Sequence, residues 1–532
     1  MGNNNNLRLW TPILIGGALA LGILFGRKMA IFGSEFSGIK IGYTNSSSQK
    51  IQDIIDIIDN NYVDSVNREE LLEETISDML HKLDPHSNYI SAKDLELANE
   101  QIKGEFSGIG VRFFILRDTV CVTNVVPDSP SERAGLNAGD KIIKVDGKSV
   151  AGVKIKNDDI MSKLKGKSNT EVKVEVLRNG KKITKSIIRG AIPIYSISSA
   201  YMIDKETGFI KIDQFSITTD TEFKEASKEL LAKGMKNLIL DLRNNAGGVM
   251  QSATNIVDEF LPANKIIVST KGQHSKERHY KSTSNGILEK IKVAVLINEN
   301  SASASEIVAG ALQDNDRATI FGRRSFGKGL VQEDMRLRDN SSLRLTIARY
   351  YTPTGRSIQK PYNGNIEDYY HDRAERYDNG ELYAPDSSKF VDSLKFVTPK
   401  GKVVYGGGGI MPDVFIGLDT VGNTWLLAQL RYTMVFQAYA FDFANGKYNK
   451  WKSPKEFAAN FSVSDALLND FLNFGKKEYK IKVDTKELAI SKNWIKTFLK
   501  AEIARQIWTE EGYYEVLNLS DNEIQKALKY MK

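Results

Sequence analysis

Three serines in this chain have the residue type and the spacing that could do chemistry. Ser301, Ser303 and Ser305 alternate with alanines, directly after the apolar, β-branched run at residues 293–297. That run is typical of a buried strand, and the apolar segment 307–312 behind the serines is typical of a helix. A strand-to-helix junction exposes a side chain and points unpaired backbone N–H groups at whatever lies in front of it. The serines are therefore placed where a nucleophile would be.

The same residues also fit an ordinary helix start. Ser303 and Glu306 have the spacing of a capping box, in which the serine accepts from the third N–H and the glutamate reaches back. Two features go beyond a cap. Small residues surround the serines and would let another chain come close. Lys328 lies between two glycines, and secondary-structure propensity does not explain a lysine at that position. We interpret Glu306 and Asp314, the nearby acidic residues, as structural.

The run SASASEIVAGALQD, followed by SFGKGLVQ, closely resembles the carboxyl-terminal processing peptidases, also called tail-specific proteases. These are serine endopeptidases with a Ser–Lys dyad and a PDZ domain. In that family the nucleophile precedes the lysine by 25 positions, which is the separation of Ser303 and Lys328 here. The resemblance implies Ser303 as nucleophile, Lys328 as base and Gln332 as the residue that orients the lysine. It extends from about residue 51 to about residue 416.

A lysine that acts as a base must be neutral. At a reference pKa of about 10.4, only about one amine in 2,500 is neutral at pH 7. We therefore expect Lys328 to be desolvated, because burial disfavours the charged form. Phe326 and the small residues around Ser303 fit an apolar setting, and Gln332 can orient the amine without adding a charge that would raise its pKa.

A glycine turn at residues 245–248 (Asn-Ala-Gly-Gly) follows the apolar run 238–242. It is either a simple turn before a helix or part of an oxyanion hole. Tetrahedral intermediates need two N–H groups aimed at the developing negative oxygen, and loss of one such donor costs about 10²–10³ in rate. We assign one N–H to Ala304, directly after the nucleophile, and the other to Gly247 or Gly248, between which the sequence does not choose.

The elements that must position these residues read as an α/β core. Residues 208–215 and 238–242 are predicted strands, and residues 221–233 between them a helix, which favours parallel pairing. The resemblance implies a crotonase-like α/β peptidase core at residues 192–420. Residues 362–400 within it are rich in Asp, Tyr and Asn, lack periodicity and are interpreted as an insertion.

Residues 104–191 resemble an inserted PDZ domain. In the segment Phe106, Ser107, Gly108, Ile109, Gly110, Val111, the glycines allow a turn in which consecutive N–H groups cradle the carboxylate of a bound peptide. The peptide would then add as a strand at the edge of the sheet. The predicted ligand is a free protein or peptide C-terminus.

The two ends of the chain are less specific. Residues 1–33 contain the uncharged, apolar stretch 9–26, which is interpreted as a membrane anchor, with a cleaved signal peptide as the alternative. Residues 34–103 read as a tether and an N-terminal helical region, with Asn67 as an N-cap. Residues 421–532 read as a helical extension that could pack on the core, bind an adaptor or form a homo-oligomer. The family implies a periplasmic catalytic part.

Composition narrows the class of protein. A chain of 532 residues implies several domains, and 41% hydrophobic with 26% charged residues is ordinary for globular protein. The net charge of +7 is spread over mixed-sign runs, and no nucleic-acid motif is present. No Cys/His cluster or H-E-x-x-H spacing suggests a metal, and we predict no cofactor. The single cysteine, Cys121, alternates as in a strand and is predicted to be buried.

The sequence thus predicts a multidomain α/β serine endopeptidase that cleaves extracytoplasmic proteins through an acyl-enzyme. Two alternatives remain. A scaffolding protein on the same fold with a silent site would be free to lose Ser303, Lys328 and Gln332, which are intact. A Ser–Lys amidase acting on small molecules or peptidoglycan would have no use for a carboxylate cradle.

Overall fold

The computed structural model of the chain describes residues 47–386, 391–444 and 450–532. The predicted anchor at residues 9–26 and the tether lie outside these residues. Within the described ranges, no helix is both long enough and apolar enough to cross a membrane.

Two helices begin the described chain, α1 (Ser47–Asn61) and α2 (Arg68–His81). The predicted cap is present, since the Asn67 side chain accepts from the N–H of Glu70 at 3.4 Å. Two glutamates lie in the first turn of α2, where the helix dipole favours negative charge. The N-terminal helical prediction is confirmed for this segment. A third helix, α3 (Ala92–Lys103), follows the short strand β1 (Asn88–Ile90).

A small β-domain follows α3. Its elements are β2 (Glu105–Gly108), β3 (Val111–Leu116), β4 (Thr119–Val125), α4 (Pro130–Arg133), β5 (Lys141–Val145), β6 (Lys148–Ser149), α5 (Asn157–Leu164), β7 (Glu171–Arg178), β8 (Lys181–Ile188) and β9 (Gly190–Pro193). The sheet order is β3-β4-β5-β7-β8, with β6 on β5. β3 is therefore an edge strand, as peptide addition requires. β2 and β9 form a separate two-stranded ribbon at the point where the chain enters and leaves the domain.

The catalytic core is built on a six-stranded sheet. Its strands, in spatial order, are β10 (Ile197–Met202), β11 (Thr207–Ile212), β12 (Asn237–Asp241), β15 (Lys292–Ile297), β16 (Thr319–Gly322) and β21 (Val414–Phe415). All neighbours from β11 to β21 are parallel, and β10 is antiparallel. The α/β multidomain prediction is confirmed. The turns after β12 and β15, which carry the candidate site, lie at the same edge because carboxyl ends of parallel strands meet there.

Helices cover both faces of this sheet. One face packs against α6 (Thr219–Ala232), α7 (Met250–Asp258) and α8 (Ala304–Asp314). The other face packs against the last helix, α15 (Asn522–Met531), through Ile524, Ala527 and Met531. The strands are apolar on both faces, as buried parallel strands are. α15, which the sequence placed in a separate extension, is thus part of the core.

A second sheet flanks the core. It holds β13 (Ile266–Lys271), β14 (Arg278–Lys281), β17 (Leu330–Arg336) and β18 (Ser342–Tyr351) together with β1. β17 and β18 form an antiparallel hairpin directly after Lys328. A further small pair is β19 (Lys395–Val397) and β20 (Val403–Tyr405). The second sheet therefore forms the wall beside the candidate lysine.

The segment interpreted as an insertion contains a helix that the sequence analysis did not identify. α9 (Ile366–Asp378) begins at Asn365, whose side chain accepts from the next two available N–H groups. Only Tyr369 and Arg376 are buried along it. Two buried positions seven residues apart, one of them an arginine, leave no apolar stripe for periodicity to detect.

The remaining helices are α10 (Trp425–Tyr432), α11 (Val435–Ala444), α12 (Pro454–Asn460), α13 (Asp465–Tyr479) and α14 (Thr485–Leu517). They share an aromatic core of their own, which includes Phe436, Phe457 and Phe471. We call residues 425–517 the helical region. α14 is interrupted at Trp508 and Thr509, whose backbone angles are not helical. The predicted helical character of this part of the chain is confirmed.

Candidate active site

Ser303 lies at the sharp turn between β15 and α8. Its φ of 54° and ψ of −112° belong to a region that side-chain-bearing residues rarely adopt. Its side chain is half-buried, whereas Ser301 and Ser305 are fully buried. The hydroxyls of those two serines donate to the carbonyls of Leu242 and Asn245 at 2.8 and 2.9 Å. Of the three predicted serines, only Ser303 is therefore free to meet a substrate.

The buried side chain of Glu306 connects two segments: the turn at Ser303, which we call the serine turn, and residues 325–329 around Lys328, which we call the lysine loop. Glu306 is fully buried and accepts four hydrogen bonds. Its Oε2 accepts from the N–H groups of Ser303 (2.8 Å) and Lys328 (2.9 Å), and its Oε1 from the Ser325 hydroxyl (2.5 Å) and the Gly327 N–H (2.7 Å). Burial raises the pKa of Glu306, while the hydrogen bonds from Ser325, Lys328, Gly327 and Ser303 lower it and favour the carboxylate.

Tyr350, from β18, joins the same two segments on their carbonyl side. Its hydroxyl lies 2.5 Å from the carbonyl of Lys328 and 3.2 Å from the carbonyl of Ser303. The tyrosine is fully buried, so its position is fixed by packing. Ser303 and Lys328 are thus linked through both their N–H and their C=O groups, although they are 25 residues apart.

Lys328 has the environment that the sequence predicted. Burial lowers the pKa of its amine, and the nearby charge of Arg344 acts in the same direction, while Glu306 and Asp84 oppose it. In the described part of the chain, no hydrogen bond joins the Lys328 amine to the Ser303 hydroxyl. Catalytic hydrogen bonds are often long before a substrate binds, so this arrangement remains competent.

Aromatic and basic residues support the lysine loop from outside. The Lys360 ammonium lies 4.0 Å from the ring centroid of Phe326 and 4.0 Å from that of Tyr369. Arg376 of α9 is buried, and its guanidinium donates to the carbonyls of Ser325 (2.9 Å) and Phe326 (3.3 Å). The loop that carries Lys328 is therefore held by a helix of the segment that was interpreted as an insertion.

His86 is a structural residue of this cluster. Its Nε2 lies 3.0 Å from the Tyr369 hydroxyl, and its ring is buried. Burial and the charge of Lys328 lower the pKa of His86 to about 3. The imidazole is therefore neutral at physiological pH and accepts no catalytic proton there.

The glycine turn lies directly against the serine. A side chain on Gly247 would come within 2.8 Å of the Ser303 Cβ and 2.9 Å of the Ala304 nitrogen. The Gly247 N–H is already engaged, because it donates to the Asn245 side chain at 2.8 Å. The N–H groups of Gly248 and Ala304 donate to no acceptor among the described residues. Two unpaired donors are thus available at the turn.

Among the described residues, no hydrogen bond joins Gln332 to Lys328. Its amide donates to the hydroxyl of Thr346 at 3.2 Å, and that hydroxyl donates in turn to Asp84 at 3.0 Å. The register of the β17–β18 hairpin shifts between Val331 and Gln332, and this bulge directs the amide toward β18. The predicted orienting contact is therefore absent from the structure as it stands.

The segment predicted to cradle a carboxylate, residues 106–111, lies at the junction of the ribbon and the edge strand. Phe106 and Gly108 lie in β2, Val111 begins β3, and Ile109 and Gly110 form the turn between them. The N–H groups of Ile109 and Gly110 have no acceptor in the described part of the chain. The turn is tight, because a side chain on Gly110 would approach Ser129 to 2.3 Å. The predicted peptide-binding segment thus has open N–H donors beside an open strand edge.

A groove of about 990 Å³ opens beside the β17–β18 hairpin. Asp84, Leu330 and Thr346 line it together with residues 271–275 and 359–362. Leu330 follows Lys328 by two positions, so the groove begins close to the lysine loop. Its size suits several residues of an extended chain. No group of His, Cys, Asp and Glu among the described residues could hold a metal ion.

Three residues that fix the site were not identified as such from sequence. Glu306 was interpreted as a structural residue, and in the structure it does link chain segments through hydrogen bonds. Its spacing to Ser303 did not indicate that it also binds the lysine loop. Tyr350 and Arg376 act through chain segments far from Ser303 in sequence. For Arg376 the only sequence signal was a basic residue in the last turn of an unrecognised helix.

Comparison with known families identifies several segments. The family described as "Peptidase family S41" matches residues 206–370, and "PDZ domain" matches residues 107–188. "Activating protease CtpB N-terminal domain" matches residues 35–94. Residues 426–509 match a family of unknown function.

Individual proteins match over most of the same span. A carboxy-terminal-processing protease of Bartonella bacilliformis is 34% identical over 345 residues, which is 64% of this chain and 78% of that protein. A probable CtpA-like serine protease of Staphylococcus aureus is 33% identical over 359 residues, 66% of this chain and 71% of that protein. A solved photosystem II D1 C-terminal processing protease is 28% identical, covering 59% of this chain and 91% of its own, with a TM-score of 0.34.

Proposed function

The chain belongs to peptidase family S41, the carboxy-terminal-processing serine proteases, and on this premise we propose that it cleaves proteins through a Ser303–Lys328 dyad after capturing their C-termini in its PDZ domain. The observation that carries the proposal is the double link between the two residues. Glu306 binds both of their N–H groups, and Tyr350 contacts both of their carbonyls. This arrangement supports a nucleophile and a base held in register.

The chemistry follows from the protonation state of the lysine. The neutral amine of Lys328 takes the hydroxyl proton of Ser303 as its oxygen attacks the substrate carbonyl carbon. The resulting ammonium then protonates the leaving amine, and the C–N bond breaks to give an acyl-enzyme. Lys328, neutral again, takes a proton from water as the water oxygen attacks the ester carbon. The ammonium then returns this proton to the Ser303 Oγ as the bond between Oγ and the acyl carbon breaks, which releases the new carboxyl terminus and restores the enzyme.

The oxyanion of each tetrahedral intermediate is bound by the N–H groups of Ala304 and Gly248. Gly248 is favoured over Gly247 because the Gly247 N–H already donates to Asn245. Gly247 instead allows the glycine turn to lie close to the serine turn, since any side chain there would collide with Ser303 and Ala304. Gln332 is positioned to reach the amine only after its contact with Thr346 opens, so we assign it to the substrate-bound state.

Substrate choice rests on the open N–H groups of Ile109 and Gly110 and on the free edge of β3. A free α-carboxylate fits the unpaired donors, and the rest of the tail adds as a strand between β3 and α5. Binding there raises the effective concentration of the upstream chain at Ser303. The natural compartment we propose is extracytoplasmic, with residues 9–26 as membrane anchor.

Labelling with a fluorophosphonate tests the dyad directly. The expected result is a single labelled peptide that contains Ser303, together with cleavage of an unstructured protein that has a free apolar C-terminus. Label on Ser301 or Ser305, or cleavage that survives Ser303→Ala at the wild-type rate, would contradict the assignment. Absence of both label and cleavage from folded protein would favour a silent scaffold.

A further inference from the structure

The outer face of the β3–β4 hairpin is covered by the helical region. Leu116 and Cys121 are 5% and 1% exposed and form one apolar cluster with Ala438 and Phe441. The Phe114 ring packs edge-on against Phe441, with centroids 5.3 Å apart. The helical region therefore packs against the outer face of β3, the strand to which a peptide would add.

The tip of the hairpin reaches into the same surface. Arg117 makes ion pairs with Asp442 at 2.9 Å and with Glu478 at 3.3 Å, and its guanidinium lies 5.4 Å from the ring centroid of Phe474. Arg117 has a φ of 49°, at a two-residue turn where Asn, Asp or Gly is favoured. An arginine in that conformation is explained by its contacts with the helical region.

A third contact lies where α14 changes direction. Arg112 of β3 makes an ion pair with Glu510, the residue directly after the interruption at Trp508 and Thr509. At the interruption itself, Trp508 packs on Phe457 inside the helical region, with ring centroids 5.5 Å apart. The edge strand is thus tied to α14 next to its interruption.

Beyond the interruption, the same helix is bonded to the peptidase core. The Asn518 amide donates to the Tyr201 hydroxyl at 2.9 Å, and that hydroxyl contacts the Tyr514 carbonyl at 3.4 Å. A few residues on, Asp521 makes an ion pair with Arg243 at 2.9 Å, directly after β12. A continuous chain of contacts therefore runs from β3 through α14 to the edge of the sheet that carries the candidate site.

Apart from these contacts, the β-domain is joined to the rest of the described chain at its two crossings and through Lys165, which makes an ion pair with Glu100 of α3 at 2.6 Å. The two chain segments that enter and leave the domain pair as the β2–β9 ribbon, and a two-stranded ribbon can bend as a hinge. The helical region contacts the outer face and tip of the hairpin, whereas β3 has no strand partner on its other edge and its inner face shares an apolar cluster with α5. A bound tail and the helical region therefore do not compete for the same surface.

We propose that residues 425–517 act as a brace that holds the peptide-binding strand of the PDZ domain at a fixed position relative to the peptidase core. Tail recognition then acts on cleavage through this brace, a statement that rests on the function proposed above. The brace is distinct from an autoinhibitory plug, because it leaves the binding edge open. Its removal should uncouple recognition from cleavage while leaving the serine reactive.

The native cysteine reports on the brace without engineering. Cys121 is buried only as long as the hairpin stays docked, so its reaction with a maleimide measures release. Arg117→Glu sets like charges against Asp442 and Glu478, and Arg117→Glu combined with Asp442→Arg restores an opposite pair. Lys144→Glu is the matched control, because Lys144 is as exposed as Arg117 (44% and 46%) and pairs only within the β-domain, with Glu175.

Each protein is assayed for maleimide rate, for fluorophosphonate labelling and for kcat/KM on one substrate with a free or an amidated C-terminus. For Arg117→Glu we expect the rate of the maleimide reaction to rise about tenfold. The preference for a free over an amidated C-terminus should fall by about the same factor. Labelling should stay unchanged, and the combined variant should recover both values. Lys144→Glu should match wild type throughout.

Two results would overturn the brace. An unchanged maleimide rate in Arg117→Glu would mean that the helical region does not hold the hairpin. A raised rate with the full free-tail preference would mean that coupling runs through the ribbon instead. If wild type itself does not distinguish free from amidated tails, the proposed tail recognition fails, and the maleimide rate alone decides whether the brace exists.

Discussion

The serine turn and the carboxylate cradle both present unpaired N–H groups, but they are held in different ways. Ser303 is fixed by a buried carboxylate, a buried tyrosine and a strained backbone. Ile109 and Gly110 are fixed by a tight turn against Ser129, in a domain that is joined to the rest of the chain by the β2–β9 ribbon, by the Lys165–Glu100 ion pair and by contacts with the helical region. Chemistry requires its groups within a fraction of an ångström, whereas recognition of a tail requires only an open edge and a direction.

The largest effect should come from removing the dyad itself. Ser303→Ala and Lys328→Ala should each lower kcat by about 10⁴–10⁶ while the fold persists, because nucleophile and base act as one unit. Circular dichroism and single-turnover rates measure the two properties. Ser305→Ala serves as control, since it should lose about 1 kcal/mol of stability with its buried hydrogen bond but keep its activity.

Glu306→Gln breaks the rigid side of the comparison without touching either reacting atom. The amide of a glutamine has one oxygen and one NH₂ group, and the NH₂ group would face a backbone N–H that can only donate. The serine turn and the lysine loop should therefore separate. We expect kcat to fall by about 10²–10³, by analogy with loss of one preorganised donor, with little change in KM. Glu299→Gln removes a comparably buried charge that pairs with Arg323, and it should reduce stability more than kcat. Equal kcat losses in both variants would contradict the positioning role.

Amidation of the substrate tail tests the looser side. The cradle offers N–H donors to a carboxylate, so an amidated C-terminus should lower kcat/KM by about 10- to 100-fold through lost effective concentration. The cut sites, read by mass spectrometry, should not move. Acetylation of the amino terminus of the same peptide is the control and should have no effect.

The pH dependence of cleavage sharpens the assignment of the base. Because only the neutral Lys328 amine accepts the proton, kcat/KM should rise about tenfold per pH unit until the lowered pKa of Lys328 is passed. A pH–rate profile measured where circular dichroism shows folded protein provides the data. An acid optimum would exclude Lys328 as base.

The smallest expected effect is on stability. The folded state binds fewer protons than the unfolded state between the lowered pKa of Lys328 and the ordinary lysine value, so stability rises with pH across that window. Lys328→Met removes this penalty and should raise Tm at pH 7 by about 1 °C for each kcal/mol gained, since about 2.1 cal/mol/K per residue applies over 532 residues. The gain should vanish above about pH 10.4. The exposed Lys228→Met should leave Tm unchanged.

Local patterns predicted much of this molecule, and long-range packing accounts for what they missed. The strand, the serine turn and α8 are encoded within about 20 residues, so periodicity and small residues were enough to find them. α9 escaped because its buried face is one tyrosine and one arginine. The contact of Gln332 with Thr346 depends on a bulge, and no local signal marks a bulge without glycine.

The assignment of α15 shows the same limit. Its apolar face is visible in the sequence, but its partners are Phe209, Ile239, Leu296 and Phe321, which lie far earlier in the chain. Pairing across such distances is a tertiary choice that propensity does not record. The boundary between core and extension therefore could not be drawn from sequence.

The position of α15 also has a consequence during synthesis. One face of the central sheet can be covered as soon as α6, α7 and α8 emerge, but the other waits for a helix about 200 residues beyond Phe321. At about 5–20 residues per second, that face stays uncovered for about 10–40 seconds. A nascent chain would carry a bare apolar sheet for that time, so a chaperone that shields β-sheet faces should determine the yield of this protease more than its final stability does.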